Sequence, residues 1–279
     1  MKNLKIEFIA IVFSLMANFV TAGEAEDMIH HGNVLAKLGS FKGADEWYKK
    51  ASALGSVEAN YLLAVMNMRG YARAPDVGLA ISYYIKAAEK EHAKAQYELS
   101  VIYSNKALDR IDYKQHLYWL KKSAKNNFDK AIHNLATIAV RVKKYPTAVG
   151  LFNQAVKLNY SPSLLSLGNM YFYGVGLNQN YSKAFPLLHK AYLAGEEAAA
   201  FPLATLYERG IPVKKDIEKA QVLYKEAIDK GNISAGYNLA MLLIEQKDTK
   251  GYSIMKKMAK QGDKRAIKFL KSRQSVVKK

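Results

Sequence analysis

The chain has 279 residues, half of them hydrophobic, with 42 lysines and arginines against 24 aspartates and glutamates, a formal net charge of +18. That apolar fraction supplies a core and excludes disorder, and the absence of cysteine excludes disulfides, thiol catalysis and cysteine-ligated zinc. The basic excess points to acidic partners: nucleic acid, anionic lipid, anionic polysaccharide or an acidic protein face.

In chain order, Lys2 and Lys5 precede an apolar run of thirteen residues from Phe8 to Val20, broken only by Ser14 and Asn18. A membrane-spanning helix needs about 20 residues, whereas this length suits the core of a secretory signal peptide. Val20-Thr21-Ala22 places compact residues at the cleavage positions, so residues 1–22 are predicted to be a signal peptide cut after Ala22. The product is periplasmic or secreted; a buried first helix and an uncleaved anchor are the competing readings. Residue 23 is glycine and not cysteine, which excludes a bacterial lipid anchor there. Removal of Lys2, Lys5 and Glu7 leaves 40 basic against 23 acidic residues. Export takes nucleic acid out of the set of partners, and peripheral association with an anionic membrane stays in it.

Residues 23–263 read as a repeat. A small residue followed four positions later by leucine marks the first helix of each unit: Ala59/Leu63, Ala95/Leu99, Ala131/Leu135, Ser163/Leu167, Ala199/Leu203, Ala235/Leu239 and Ala266/Leu270, with Asp27/His31 as a degenerate first copy. Ala44, Ala80, His116, Ala148, Ala184, Ala220 and Gly251 mark the second helices. The spacings of the two columns follow one another from unit to unit, at 31 to 36 residues. Four residues before each second-helix marker stand Ser40, Asp76, Asp112, Lys144, Asn180, Asp216 and Lys247, five of which are N-capping types. Seven residues after each marker come Ala51, Ala87, Ser123, Ala155, Ala191, Ala227 or Met258, mostly small enough for close helix approach. Gly174-Val175-Gly176 breaks a helix into a tight turn. Pro146 and Pro186 are predicted in first turns of second helices, and Pro162 just ahead of a helix. A lone hairpin cannot bury its apolar face, so the copies imply a stack. Residues 264–279 carry seven basic and no acidic residues and read as a basic capping helix.

These units resemble two branches of one superfamily. Residues Gly32 through Ala51 keep the pattern of a plain tetratricopeptide repeat. LGNMYFYGVGLNQNYSKAFPLLHKAYLAG and LATLYERGIPVKKDIEKAQVLYKEAIDKG are similar to Sel-one-like repeats. The resemblance implies an all-α, right-handed α-solenoid of about seven helix-turn-helix repeats, in which the first helices line a concave groove. It also implies non-enzymatic roles in bacterial envelope assembly, signalling or host interaction. Cysteine-rich relatives have been described as penicillin-binding or β-lactamase proteins, but this chain lacks their paired cysteines. Ser253/Lys256 and Ser275/Lys278 match serine-x-x-lysine, yet no SDN or KTG accompanies them.

No cofactor or metal constellation stands out. His30 and His31 are adjacent, about 100° apart on a helix, and no HExxH occurs. Gly174-Val175-Gly176 lacks the lysine-serine pair of a phosphate loop. The functional signal is therefore a surface. Counting from the marker leucines as the resemblance implies, the groove candidates are Tyr61, Arg69, Tyr97, Asn105, Arg141, Asn169, Phe172, Tyr173, Glu208, Arg209 and Tyr237, with Met68, His133, Phe201 and Glu245 beside them. Aromatics and arginines anchor partners through apolar area and bidentate hydrogen bonds; Tyr61, Tyr97, Phe201 and Tyr237 equally suit filling gaps between repeats. Paired lysines recur at 49–50, 121–122, 143–144, 214–215, 256–257 and 278–279, most of them within or beside second helices, as solvated faces or as a convex basic surface. The chain is thus expected to be an exported scaffold holding a protein or peptide in its groove. The alternative is a binder of anionic polysaccharide or cell-wall polymer, and a β-lactamase-like hydrolase is the third reading.

Overall fold

The computed structural model describes residues 23–277, with side chains to 273. The signal peptide and its cleavage point, Ser275 to Lys278 as a motif, and the pair 278–279 lie outside these described residues. Among them the chain is all-helical: fifteen α-helices, two short 3-10 turns and no strand. No described helix is long and apolar enough to cross a membrane.

The helices sort into two compact units divided between Leu135 and Ala136. The first holds α1 (23–37), α2 (Phe41–Ala53), α3 (Val57–Arg69), α4 (Val77–Glu89), α5 (Ala93–Ser104) and α6 (Tyr113–Lys125). Helix α7 (Asp129–Arg141) spans the division. The second holds α8 (Tyr145–Lys157), α9 (Ser161–Tyr173), α10 (Tyr181–Leu193), α11 (Ala200–Arg209), α12 (Ile217–Asp229), α13 (Ile233–Glu245), α14 (Lys250–Lys260) and α15 (Lys264–Val277). α3 with α4 and α5 with α6 in the first unit, and α9 with α10, α11 with α12 and α13 with α14 in the second, pair as hairpins, the all-α repeat class expected.

The small-residue columns form the helix contacts. Ala59, Ala95, Ser163, Ala199, Ala235 and Ala266 are fully buried, as are Ala44, Ala80, Ala148, Ala184 and Ala220. Leu63 and Leu99 in the first unit, and Leu167, Leu203 and Leu239 in the second, fill the hairpin cores at 1% exposure or less. Each contributes about 1.5–3 kcal/mol by leaving water. His116 replaces alanine in its column and donates from Nδ1 to the Ser100 carbonyl at 2.8 Å, a bond that satisfies the ring there.

The long turns share one device. The amides of Asp76, Asp112, Asn180 and Asp216 donate back to the carbonyls of Asn67, Tyr103, Tyr171 and Tyr207 at 2.9–3.0 Å. The side chains of those four residues then accept amides of the second helix they open. Gly70 ends α3 at φ +68°, and a Cβ there would meet the Pro75 ring at 2.6 Å, so both dihedral and space require glycine. After α5 no glycine is present; a 3-10 turn over Lys106–Leu108 replaces it, with Asp109 in the left-handed region.

Several expectations are corrected. Ser40 stands at the N-cap of α2 but its hydroxyl makes no capping bond. Lys247, in the column that elsewhere stands at the N-cap, adopts φ +63° after α13, and the N-cap of α14 falls two residues later at Thr249. Pro162 lies inside the first turn of α9, not ahead of it. Pro186 is the sixth residue of α10, not in its first turn. Its missing amide would have faced the Ser182 carbonyl on an exposed stretch, where water can serve that oxygen.

Candidate binding surface

In the first unit the first-helix face gathers aromatic and charged groups from α3, α5 and their partners. Tyr61 is half-buried, its ring 6.0 Å from Tyr84 and 4.7 Å from His92. Burial, then the charges of Glu98 and Glu58, push the Tyr61 phenol up. Tyr84 is shifted further in the same direction by burial, Glu98 and Tyr61, with Arg69 opposing. Burial also raises the Glu98 carboxyl, while Lys130 and Arg69 pull it back. Arg69, Glu98 and Lys130 therefore share one field beside two phenols, in a setting drier than bulk water. Tyr97 packs 5.1 Å from Phe128, and its hydroxyl accepts from Asn134 at 3.3 Å. Asn105 lies apart from this group; it is exposed and its Oδ1 accepts the Ala107 amide at 2.9 Å, a turn-capping role.

In the second unit the hub is Tyr224 of α12, fully buried. Its hydroxyl donates to Glu208 Oε2 at 2.5 Å, accepts from Asn238 Nδ2 at 3.2 Å and lies 3.2 Å from Thr205 Oγ1. Arg209 next door is exposed and donates to the Tyr181 hydroxyl at 2.9 Å, its guanidinium 5.9 Å from that ring. Tyr181 in turn packs 5.5 Å from Phe172. Phe172, predicted to face the groove, is 6% exposed and is part of the hairpin core, whereas Tyr173 stands out at 54%. Asn169 is half-buried, and Arg141 is exposed at the last turn of α7. Tyr237 is covered by Arg265, whose guanidinium sits 4.3 Å above its ring and is itself bound to Asp263.

The structure thus groups Tyr61 with Arg69 through Tyr84 and Glu98, places Glu208 next to Arg209, and leaves Asn105 in an exposed turn and Phe172 in the core. Counting from leucines missed Tyr84, Glu98, Lys130, Tyr181 and Tyr224. One signal was available: tyrosine recurs four residues after the second-helix marker at 48, 84 and 224. Tyr48 is likewise buried, with its hydroxyl donating to Asn33 Oδ1 at 2.8 Å.

Two open clefts border turns and second helices instead. One of about 590 Å³ follows Lys214 to Lys219 beneath Tyr207. The other, about 510 Å³, is lined by Tyr192, Leu193, Glu197, Glu226, Asp229 and Lys230. Its Tyr192 hydroxyl donates to Glu226 at 2.6 Å, and that bond with burial pushes the phenol up to about 12. Ser253 and Lys256 are exposed on α14. Among the described residues no group of three histidines or carboxylates is placed to hold a metal ion.

A family model described as Sel1 repeat matches residues 46–56, 57–92, 93–128, 161–196 and 198–232, more than half of the chain. The four full-length matches coincide with the four units that carry the long turn. An uncharacterized protein of Neisseria meningitidis serogroup B is 30% identical over 203 residues, covering 70% of this chain and 41% of that protein. Chitin synthase regulatory factor 3 of Schizosaccharomyces pombe is 23% identical over 281 residues, 83% of this chain and 30% of its own length. The chain therefore spans less than half the length of these curated relatives. Among solved structures, a protective antigen of uropathogenic Escherichia coli with an SLR fold superposes with a TM-score of 0.76 at 23% identity, over 88% of this chain and 56% of its own. A Sel1 repeat protein from Oxalobacter formigenes gives 0.67 at 24% identity, over 85% and 98%. At these identities the solved structures establish a shared fold.

Proposed function

The chain belongs to the Sel1 repeat family, and on that premise we propose that it is an exported, non-enzymatic scaffold whose first-helix faces hold a protein or peptide partner. The observation that carries this reading is the holding of charged side chains by tyrosine hydroxyls in the second unit, half-buried Glu208 by the buried Tyr224 and exposed Arg209 by the half-buried Tyr181. Tyr224 fixes Glu208 and Tyr181 fixes Arg209, while Arg209 and Tyr173 keep their outer edges open. An acid and a base on consecutive residues of α11, each held by a tyrosine hydroxyl, with an aromatic anchor nearby and little rotamer freedom left to lose, suit a peptide's own charges and apolar side chains. The relative described as a regulatory factor of chitin synthase supports a protein partner, since its name gives an enzyme as the object of regulation. The apolar run from Phe8 to Val20 supports export.

A photo-crosslinking residue in place of Tyr173 tests the site in envelope extract, with the same residue in place of Val222, 54% exposed on α12, as control. Capture of a discrete protein through position 173 alone, persisting at high salt, is the expected result. Equal capture at both positions refutes the face, and complete loss at high salt transfers the reading to an anionic polymer. For export, N-terminal sequencing of the mature protein should begin at Gly23; an intact Met1 in envelope fractions refutes cleavage.

A further inference from the structure

One outer helix differs from its neighbours in the first unit. Helix α6, YKQHLYWLKKSAK, contains no acidic residue. Its inner face is spent on packing: Trp119, Leu120, Ser123 and Ala124 are buried. At about 100° per residue, its outward arc holds Lys114, Leu117, Tyr118, Lys121, Lys122 and Lys125, and nothing else. These six side chains line a shallow concavity of about 520 Å³. Leu117 is 36% exposed and Tyr118 48%, and the helix begins with Tyr113 at 64% and Ile111 before it at 45%. Among the described residues none of the four lysines stands in an ion pair; Lys122 lies 5.8 Å over the Tyr118 ring, which also meets Trp119 edge-on at 4.9 Å. By contrast, α2 interleaves Asp45 and Glu46 with its lysines, and Lys49 is paired to Asp45 at 2.8 Å.

We propose that this outward face of α6 docks on an anionic lipid bilayer. The charge complement is negative, because four lysines share one arc without a counter-charge. The occupant is a fluid surface and not a folded acidic partner, because a single helix lines the concavity and no second element supplies a wall to fix a register. Tyrosine and leucine among lysines are the side chains that enter the headgroup layer while ammonium groups on flexible stems meet lipid phosphates. This surface is separate from the first-helix faces, so the partner reading stands or falls independently.

The full-length protein is tested by sedimentation with phosphatidylcholine–phosphatidylglycerol vesicles and with pure phosphatidylcholine vesicles, circular dichroism confirming the fold of each variant. Binding is expected on the anionic vesicles above any background on neutral ones, and it should fall as salt rises. Lys121→Gln with Lys122→Gln should weaken it about 25-fold, roughly fivefold for each lysine. Lys121→Arg with Lys122→Arg should retain it, and Leu117→Ser with Tyr118→Ser should weaken it about tenfold. Helix α14 supplies the charge control, since Lys256 and Lys257 are exposed there in the second unit. Lys256→Gln with Lys257→Gln removes the same charge and should change binding less than twofold. An equal loss from that control means net charge alone acts and overturns the proposal. So does equal binding to neutral vesicles, or polyglutamate binding lost with the α6 lysines while anionic vesicles bind no better than neutral ones.

Discussion

Replacing Tyr224 by phenylalanine removes one oxygen from the centre of the second unit and leaves the ring where it is. No cavity larger than a hydroxyl opens, so the cost is that of the hydrogen bonds. The bond to Glu208 at 2.5 Å runs to a carboxylate, a class that contributes about 1.5–3 kcal/mol. Asn238 Nδ2 also loses an acceptor. Part of this is regained as Glu208 turns toward water, which leaves an expected loss of about 2 kcal/mol, or about 6 °C in Tm for a unit of this size. A pH arm separates this mechanism from generic damage. Burial, then Glu208, holds the Tyr224 phenol far above its usual value, so the folded state keeps its proton while the unfolded chain releases it. That stabilisation is complete below about pH 10 and is lost as pH rises above the unfolded value toward the folded one. Urea unfolding followed by circular dichroism should show a gap between the parent and Tyr224→Phe that is widest at neutral pH and narrows above pH 10. A gap under about 0.5 kcal/mol at neutral pH, or one that does not change with alkali, refutes the hub.

Asp263 accepts the amides of Arg265 and Ala266 and the Arg265 guanidinium, which together hold its carboxyl below the ordinary range. Asp263→Ala should lose about 1–2 kcal/mol above the unfolded pKa of about 4, and urea midpoints should converge with the parent as pH falls through the lower folded value. At Gly251 a Cβ would meet the Ala240 carbonyl oxygen at 2.7 Å and the Ile244 nitrogen at 2.9 Å, both backbone. Gly251→Ala should therefore destabilise by about 1–3 kcal/mol although alanine is the better helix former; a rise in thermal midpoint would show that α13 and α14 can separate freely. Arg209→Lys keeps the charge and loses the planar fork on Tyr181, so partner capture should weaken about tenfold while Tm moves by less than about 2 °C.

What the sequence made legible was local. The caps at Asp76, Asp112, Asn180 and Asp216 depend on residues three positions apart, and all four form as expected. The small-residue columns were legible because close helix approach tolerates few residue types, and fully buried alanines occupy most of them. Lys247 shows where local reading ends: a left-handed residue after α13 shifts the next helix start by two positions, and a lysine announces no such dihedral. The candidate site was legible only in its exposed members, Arg69, Arg141, Tyr173 and Arg209. Bonds such as Tyr224 to Glu208 and Arg209 to Tyr181 join residues 16 and 28 apart, and helical periodicity carries no information about which hydroxyl crosses to which neighbour. Phe172 was placed outward by the same periodicity, but the chain returning through Tyr181 covers it.

Bracing separates the two surfaces in kind. On the first-helix faces of the second unit three charged groups are held: Arg209 by a hydroxyl and a ring, Glu208 by a buried phenol, Arg265 by Asp263 over Tyr237. A held side chain loses little entropy on binding and rejects a ligand whose groups do not match, so these faces suit discrimination between peptides. On α6 the lysines stand without carboxylate partners beside two half-exposed apolar side chains. Unheld ammonium groups impose no register and gain mainly from the density of opposing charge, which a bilayer supplies and a single peptide does not. Under the two proposals, selectivity would rest on the first kind of position and placement on a surface on the second.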